Sequence, residues 1–125
     1  MKRLLPLLVF AFVMPAQAQK CDKVFADAQR FHNGLAAVMK NGRYGYIDIK
    51  GNTVIDFRFS NARTFADGLA PASDEKGLWG YINGKGDFII SPEYNFADSF
   101  DNNEARVIKG SSVYFIDKNN KKLHE

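Results

Sequence analysis

The chain is poor in the residues that usually carry chemistry. Its 125 residues include one cysteine, two histidines and one tryptophan. A lone Cys21 cannot form an intrachain disulfide; in an exported chain it is a free thiol, half of an intermolecular bridge or a lipid attachment site. Lys20 stands immediately before it, where lipidation signals place a small residue, so the thiol reads as incidental. His32 and His124 lie neither near Cys21 nor in a spaced His/Asp cluster of the kind a zinc or two-metal site uses, and both read as surface residues. No cofactor or metal is expected. The serines at 73, 91, 99, 111 and 112 lack a G-x-S-x-G context. Gly84-Lys85-Gly86 has no following helix and is no phosphate loop.

Long apolar runs are also missing. The one candidate, residues 4–14, falls short of the roughly eighteen residues a membrane span needs. It follows Met1-Lys2-Arg3 and precedes Pro15-Ala16-Gln17-Ala18, the layout of a secretory signal peptide cut after Ala18. The expected destination is the periplasm or the medium, with no membrane span after cleavage. Excess charge is absent once that leader is set aside. The chain holds 17 Lys+Arg and 14 Asp+Glu; residues 1–18 carry Lys2, Arg3 and no acid, which leaves 15 against 14. Such a chain lacks the clustered positive field that binding to a phosphate backbone requires, which argues against nucleic acid.

What is present is repetition. Gly45-Tyr46-Ile47-Asp48 returns as Gly80-Tyr81-Ile82-Asn83 and, altered, as Tyr114-Phe115-Ile116-Asp117. Outward from these, further sets match: Phe25, Phe59 and Tyr94; Ala28, Ala62 and Ala97; Phe31, Phe65 and Phe100; Gly34, Gly68 and Asn103; Ala36, Ala70 and Ala105; Gly51, Gly86 and Asn120. Each steps by 34 or 35 residues, a period that marks a tandem-repeat architecture. The expected organisation is a leader at 1–18, a lead-in at 19–24 and one repeat domain at 25–125, in units 25–58, 59–93 and 94–125.

Local signals within each unit are short strands and tight turns. Residues 35–39 and 44–49 flank Asn41-Gly42, the dipeptide that suits a type I′ hairpin turn. A second turn at 50–52 leads into 53–57, and units two and three repeat the plan. The fold class predicted is all-β: three tandem units, each a three-strand antiparallel meander, forming an open propeller-like array or a small barrel. The aromatic-x-x-Ala-x-x-Phe segment between units reads as a helical turn or irregular loop that plugs Phe31, Phe65 and Phe100 into the core.

The phrases Leu78-Trp79-Gly80-Tyr81-Ile82-Asn83, Arg43-Tyr44-Gly45-Tyr46-Ile47-Asp48 and Phe65-Ala66-Asp67-Gly68-Leu69-Ala70 resemble the bacterial WG-repeat family. Unit three departs from the pattern, with Val113-Tyr114 in place of Trp-Gly and Asn103-Glu104 in place of Gly-Leu, as terminal units of repeat arrays do. The resemblance implies β-rich repeat modules, often in envelope or exported proteins, without a general enzymatic activity.

Two groups of residues could carry binding. Tyr44, Tyr46, Trp79 and Tyr81 form either an aromatic platform for a protein or glycan partner or part of the repeat core. Asp48, Asn83 and Asp117 share one repeat position, as a row of cation or sugar ligands or as residues that start the following turn. The leading expectation is an exported, non-enzymatic module that binds a protein or an envelope glycan. The alternatives are a small metal-dependent or hydrolytic enzyme using Asp48, Asp117 or His32, and a self-associating structural subunit, a homo-oligomer.

Overall fold

A computed structural model describes residues 34–125 together with the backbone strand Asp27–Ala28. The leader, Cys21, Phe25, Phe31 and His32 lie outside the described residues. The chain folds into three antiparallel sheets in sequence order. The first contains β1 (Asp27–Ala28), β2 (Leu35–Lys40), β3 (Arg43–Asp48) and β4 (Thr53–Phe59). The second contains β5 (Asn61–Ala62), β6 (Ala70–Ser73), β7 (Trp79–Ile82) and β8 (Phe88–Tyr94). The third contains β9 (Phe96–Ala97), β10 (Ala105–Lys109), β11 (Ser112–Ile116) and β12 (Lys122–His124).

Each sheet therefore has four strands and not the expected three. The additional strand comes from the connecting segment, which is neither a helical turn nor a loop around its alanine: Asn61 and Ala62 pair with Ser73 and Ala72, and Phe96 and Ala97 with Ile108 and Val107. Two residues are too few to show an alternating pattern, so composition hid the pairing. The plug itself is present, with Phe65 and Phe100 each 2% exposed. The small-barrel alternative is not formed, because the described strands pair only within their own sheets and no sheet closes on itself.

Turn chemistry sets the register. At the β2–β3 hairpin Asn41 and Gly42 have φ of +54° and +81°, the pair of positive values a type I′ turn demands. Four other hairpins share one device: Asp48, Asp74, Asn83 and Asp117 each use Oδ1 to accept the backbone N–H groups two and four residues ahead, at 2.9–3.1 Å. The residue at the fourth position then turns left-handed, as Gly51, Gly77, Gly86 and Asn120 with φ between +64° and +88°.

Bulges explain the recurrent glycine. Between Trp79 and Tyr81 the two strands fall out of step: Trp79 pairs with Tyr94 and Tyr81 with Ile90, so Ser91, Pro92 and Glu93 bow across Gly80. A Cβ on Gly80 would collide with the Ile90 carbonyl oxygen and lie 2.8 Å from the Ser91 carbonyl carbon and the Pro92 nitrogen. Gly45 faces the same crossing, where a Cβ would stand 2.9 Å from the Asp56 carbonyl carbon. At the third copy β12 pairs with β11 only at Phe115 and Ile116, so Tyr114 has room for its ring, which packs edge-on against Tyr94 at 6.3 Å.

Apolar burial joins the sheets. Tyr44, Tyr46, Ile55 and Phe59 of the first sheet share one core with Ala62, Phe65, Ala72 and Ile82 of the second. Trp79, Tyr81, Ile90 and Tyr94 share the next with Ala97, Phe100, Val107 and Ile116. The second sheet thus packs both of its faces.

Replacing Gly80 with Ala or Val is expected to destabilise the fold by about 1–3 kcal/mol, because backbone atoms rather than a yielding side chain occupy the space. Gly84, with nothing within 4 Å of its Cβ position, is the control and should accept Ala with a change below about 0.5 kcal/mol. Urea denaturation of the two variants checks both values, and equal stabilities would refute the crowding at Gly80.

Candidate functional site

Two of the candidate aromatics turn out to be seats at the boundaries between sheets. The Tyr46 hydroxyl donates to the Arg63 carbonyl at 2.6 Å, and its ring takes Phe65 edge-on at 4.9 Å. The Tyr81 hydroxyl donates to the Asp98 carbonyl at 2.6 Å, and its ring takes Phe100 at 4.7 Å. Both are 0% exposed. Burial pushes both phenol pKa values well up, with the Asp98 charge adding to the effect at Tyr81. Tyr44 and Trp79 are buried in the same two cores, Trp79 with Phe96 at 6.1 Å. The four aromatics stand on the packing side of the two readings and do not make an exposed stripe.

Asp48, Asn83 and Asp117 are turn residues. Their Oδ1 atoms are aimed at backbone N–H groups, and at Asp48 these hydrogen bonds, that from Asn52 foremost, hold the carboxyl below its ordinary range. Asn83 does the same work without a charge, in the turn after β7. Among the described residues no group of three or more His, Cys, Asp and Glu side chains could hold a metal ion.

A further surface lies along the third sheet and reaches Arg63 of the β5–β6 connection. An open cleft of about 690 Å³ is lined by Arg63, Asp98, Asp101, Glu104, Arg106 and Phe115. Asp98 is bracketed by Arg106 Nε at 2.9 Å and Arg63 at 3.8 Å, and the Arg63 guanidinium also covers the Phe96 ring. Phe115 stands at the repeat position of Tyr46 and Tyr81 but is only half-buried. His124 stacks on it, with ring centroids 4.6 Å apart and planes 19° apart, and is held by Glu104 at 3.1 Å. Val113, in the place of Tyr44 and Trp79, is 45% exposed. His124 is therefore an organised member of this surface rather than a loose tail residue, while His32 lies outside the described residues.

Sequence inspection missed this cleft because its residues are scattered over two connections and two strands. A usable trace was there: at the position of the buried Leu69 stands Glu104, and at that of Ala66 stands Asp101. The polar exchange marks the third copy of a face that is apolar in the second.

Removing the Tyr81 hydroxyl with Tyr81→Phe leaves the Asp98 carbonyl without its donor and should cost about 1 kcal/mol. Tyr46→Phe should cost a similar amount through Arg63. Chemical denaturation reads both, and no loss at either position would show that the ring alone makes the seat.

No curated protein matches the chain. The family described as WG containing repeat matches residues 22–44, 44–76 and 79–111. The second and third of those matches start at Tyr44-Gly45 and at Trp79-Gly80, the strand over which the bulge closes. WG repeats are not a known enzyme family. With three matched repeats covering most of its length, the chain belongs to the WG-repeat family.

Proposed function

We propose that the chain is an exported, non-enzymatic β-repeat module that binds a protein partner through the open end of its third sheet. One contrast carries the reading. Tyr46 and Tyr81 are sealed under Phe65 and Phe100, whereas Phe115, at the same repeat position, is half-buried beside a cleft. A central aromatic, an exposed aliphatic neighbour in Val113 and a rim of arginines and carboxylates is the composition of a protein-binding patch, with an apolar centre and a polar margin. Export rests on the leader at residues 1–18. Membership in a repeat family that is not a known enzyme family supports the non-enzymatic part of the reading.

Cross-linking and affinity capture from the native cell envelope, with the tagged chain expressed from its full sequence, tests the proposal. The expected result is a reproducible protein partner that Phe115→Asp loses, with the melting temperature of the variant retained. Ile49→Asp, at a residue 78% exposed in the turn after β3, should keep the partner. Capture that survives Phe115→Asp, or recovery of glycan in place of protein, would overturn the assignment.

A further inference from the structure

Three buried aromatic side chains spend their polar heads on acceptors. The Tyr46 and Tyr81 hydroxyls donate to backbone carbonyls, and the Tyr94 hydroxyl meets Asn120 Oδ1. Trp79 does not. It is 9% exposed, and its indole N–H meets no acceptor among the described residues. A buried indole donor usually has a partner, and one without calls for an explanation. Trp79 lines a groove of about 330 Å³ together with Asn61, Ala62, Arg63 and Phe96. We infer that this groove is a binding site for a carboxylate, supplied by an acidic residue of a protein partner. The inference deepens the reading of the neighbouring cleft as a protein-binding surface, and it rests on that reading for the source of the carboxylate.

The polar side chains that line the groove offer donors. Asn61 Oδ1 is taken by the Ala62 backbone N–H at 2.9 Å, which leaves the Nδ2 donors of Asn61 without an acceptor among the described residues. Arg63 approaches Asp98 only at 3.8 Å, beyond hydrogen-bond range, while Arg106 holds the same carboxylate at 2.9 Å. The five N–H groups of the Arg63 guanidinium therefore carry charge without a hydrogen bond to the described residues.

Such a set selects a ligand that only accepts. A guanidinium grips a planar carboxylate with two parallel N–H···O bonds, and Arg63 lies 5.4 Å over the Phe96 ring, which helps to hold its plane. Phosphate suits the groove less well, because Asp98 already offsets part of the one positive charge and would repel a dianion. The rings of Trp79 and Phe96, 6.1 Å apart, supply an apolar wall for the carbon that carries the carboxylate. Arg63 also lines the cleft beside Phe115, so the two openings meet at one side chain. A partner segment seated beside Phe115 then has the groove within reach of its next residues. Arginine at such a junction is the residue type that concentrates binding energy.

Trp79 is the one tryptophan of the chain, so its indole N–H gives a single signal in a proton–nitrogen correlation spectrum. Titrating the purified protein with an end-blocked triglutamate peptide should move that signal downfield and saturate, as a new N–H···O bond requires. An end-blocked trilysine peptide should leave it in place. Arg63→Gln should weaken the response by about tenfold, the loss expected for a hydrogen bond to a charged group. Arg63→Lys should recover only part of it, since an ammonium cannot present the planar fork. Tyr46 bonds the backbone carbonyl of Arg63 and not its side chain, so both variants should melt as wild type does. An indole signal unmoved by the glutamate peptide, a response unchanged by Arg63→Gln, or a stronger response to inorganic phosphate would overturn the carboxylate site. A stronger response to a glucuronate oligomer would overturn the protein as its source. The surface reading fails separately: if Phe115→Asp leaves capture of the envelope protein intact, that reading is lost while the titration stands. If the titration fails and Phe115→Asp still abolishes capture, only the carboxylate site is lost.

Discussion

Everything in this fold depends on one contact, the phenylalanine of each connecting segment pressed edge-on against the central aromatic of the preceding sheet. Sheets built from strands this short cannot bury their faces alone. Phe65 on Tyr46 and Phe100 on Tyr81 close the boundary between successive sheets, and the tyrosine hydroxyl ties the same segment down by its backbone. Fully burying a side chain of this size contributes about 1.5–3 kcal/mol, and each seat sits within a core of ten buried residues, six of them larger than alanine at the first boundary and eight at the second. Stability in such an array is carried by neighbour-to-neighbour junctions.

Surface charge contributes far less. Arg43–Glu75 at 3.3 Å has both partners largely in water, with side chains 42% and 78% exposed, and exposed pairs of this kind supply about 0.2–1 kcal/mol at best. The Lys109–Glu93 pair at 2.9 Å is tighter; the Lys109 hydrogen bond foremost, with a second from Asn120, lowers the Glu93 pKa. A carboxyl lowered in the folded state contributes stability above the ordinary Glu range and loses it as the pH falls through its folded value. Glu93 adjoins Tyr94, whose hydroxyl meets the same Asn120, so this polar cluster pins the last hairpin of the third sheet onto the second. The ion pairs position the hairpins; the aromatic seats hold the sheets.

The bulges are the other half of the design. Val54, Ile89 and Leu123 are the extra residues of three equivalent bulges, 47%, 52% and 43% exposed, while their neighbours Ile55 and Ile90 are buried. An irregularity at the same place in every sheet both turns the strand and keeps its outer edge from offering a regular ladder to other chains. Much of this was open to inspection of the sequence. The Asn41-Gly42 hairpin, the Asx turns at Asp48, Asn83 and Asp117, and the burial of Phe65 and Phe100 follow from residue type and spacing. The fourth strand was not legible, because Asn61–Ala62 and Phe96–Ala97 are too short to show a period, and their pairing depends on where the neighbouring hairpin lands. Nor was the cleft, whose residues 63, 98, 104, 106 and 115 meet only after the second and third sheets pack.

By itself the sequence determined the number of units, the all-β class, the turn types and the recurrence of a glycine before each central tyrosine, because these follow from local stereochemistry and from a period that survives in one dimension. Only the tertiary structure decided what that glycine is for, which aromatics are sealed and which one is left open. Those outcomes depend on which backbone crosses which residue and which sheet covers which face. Tyr46, Tyr81 and Phe115 occupy one position in the repeat, and packing alone separates the two that are core from the one that is surface.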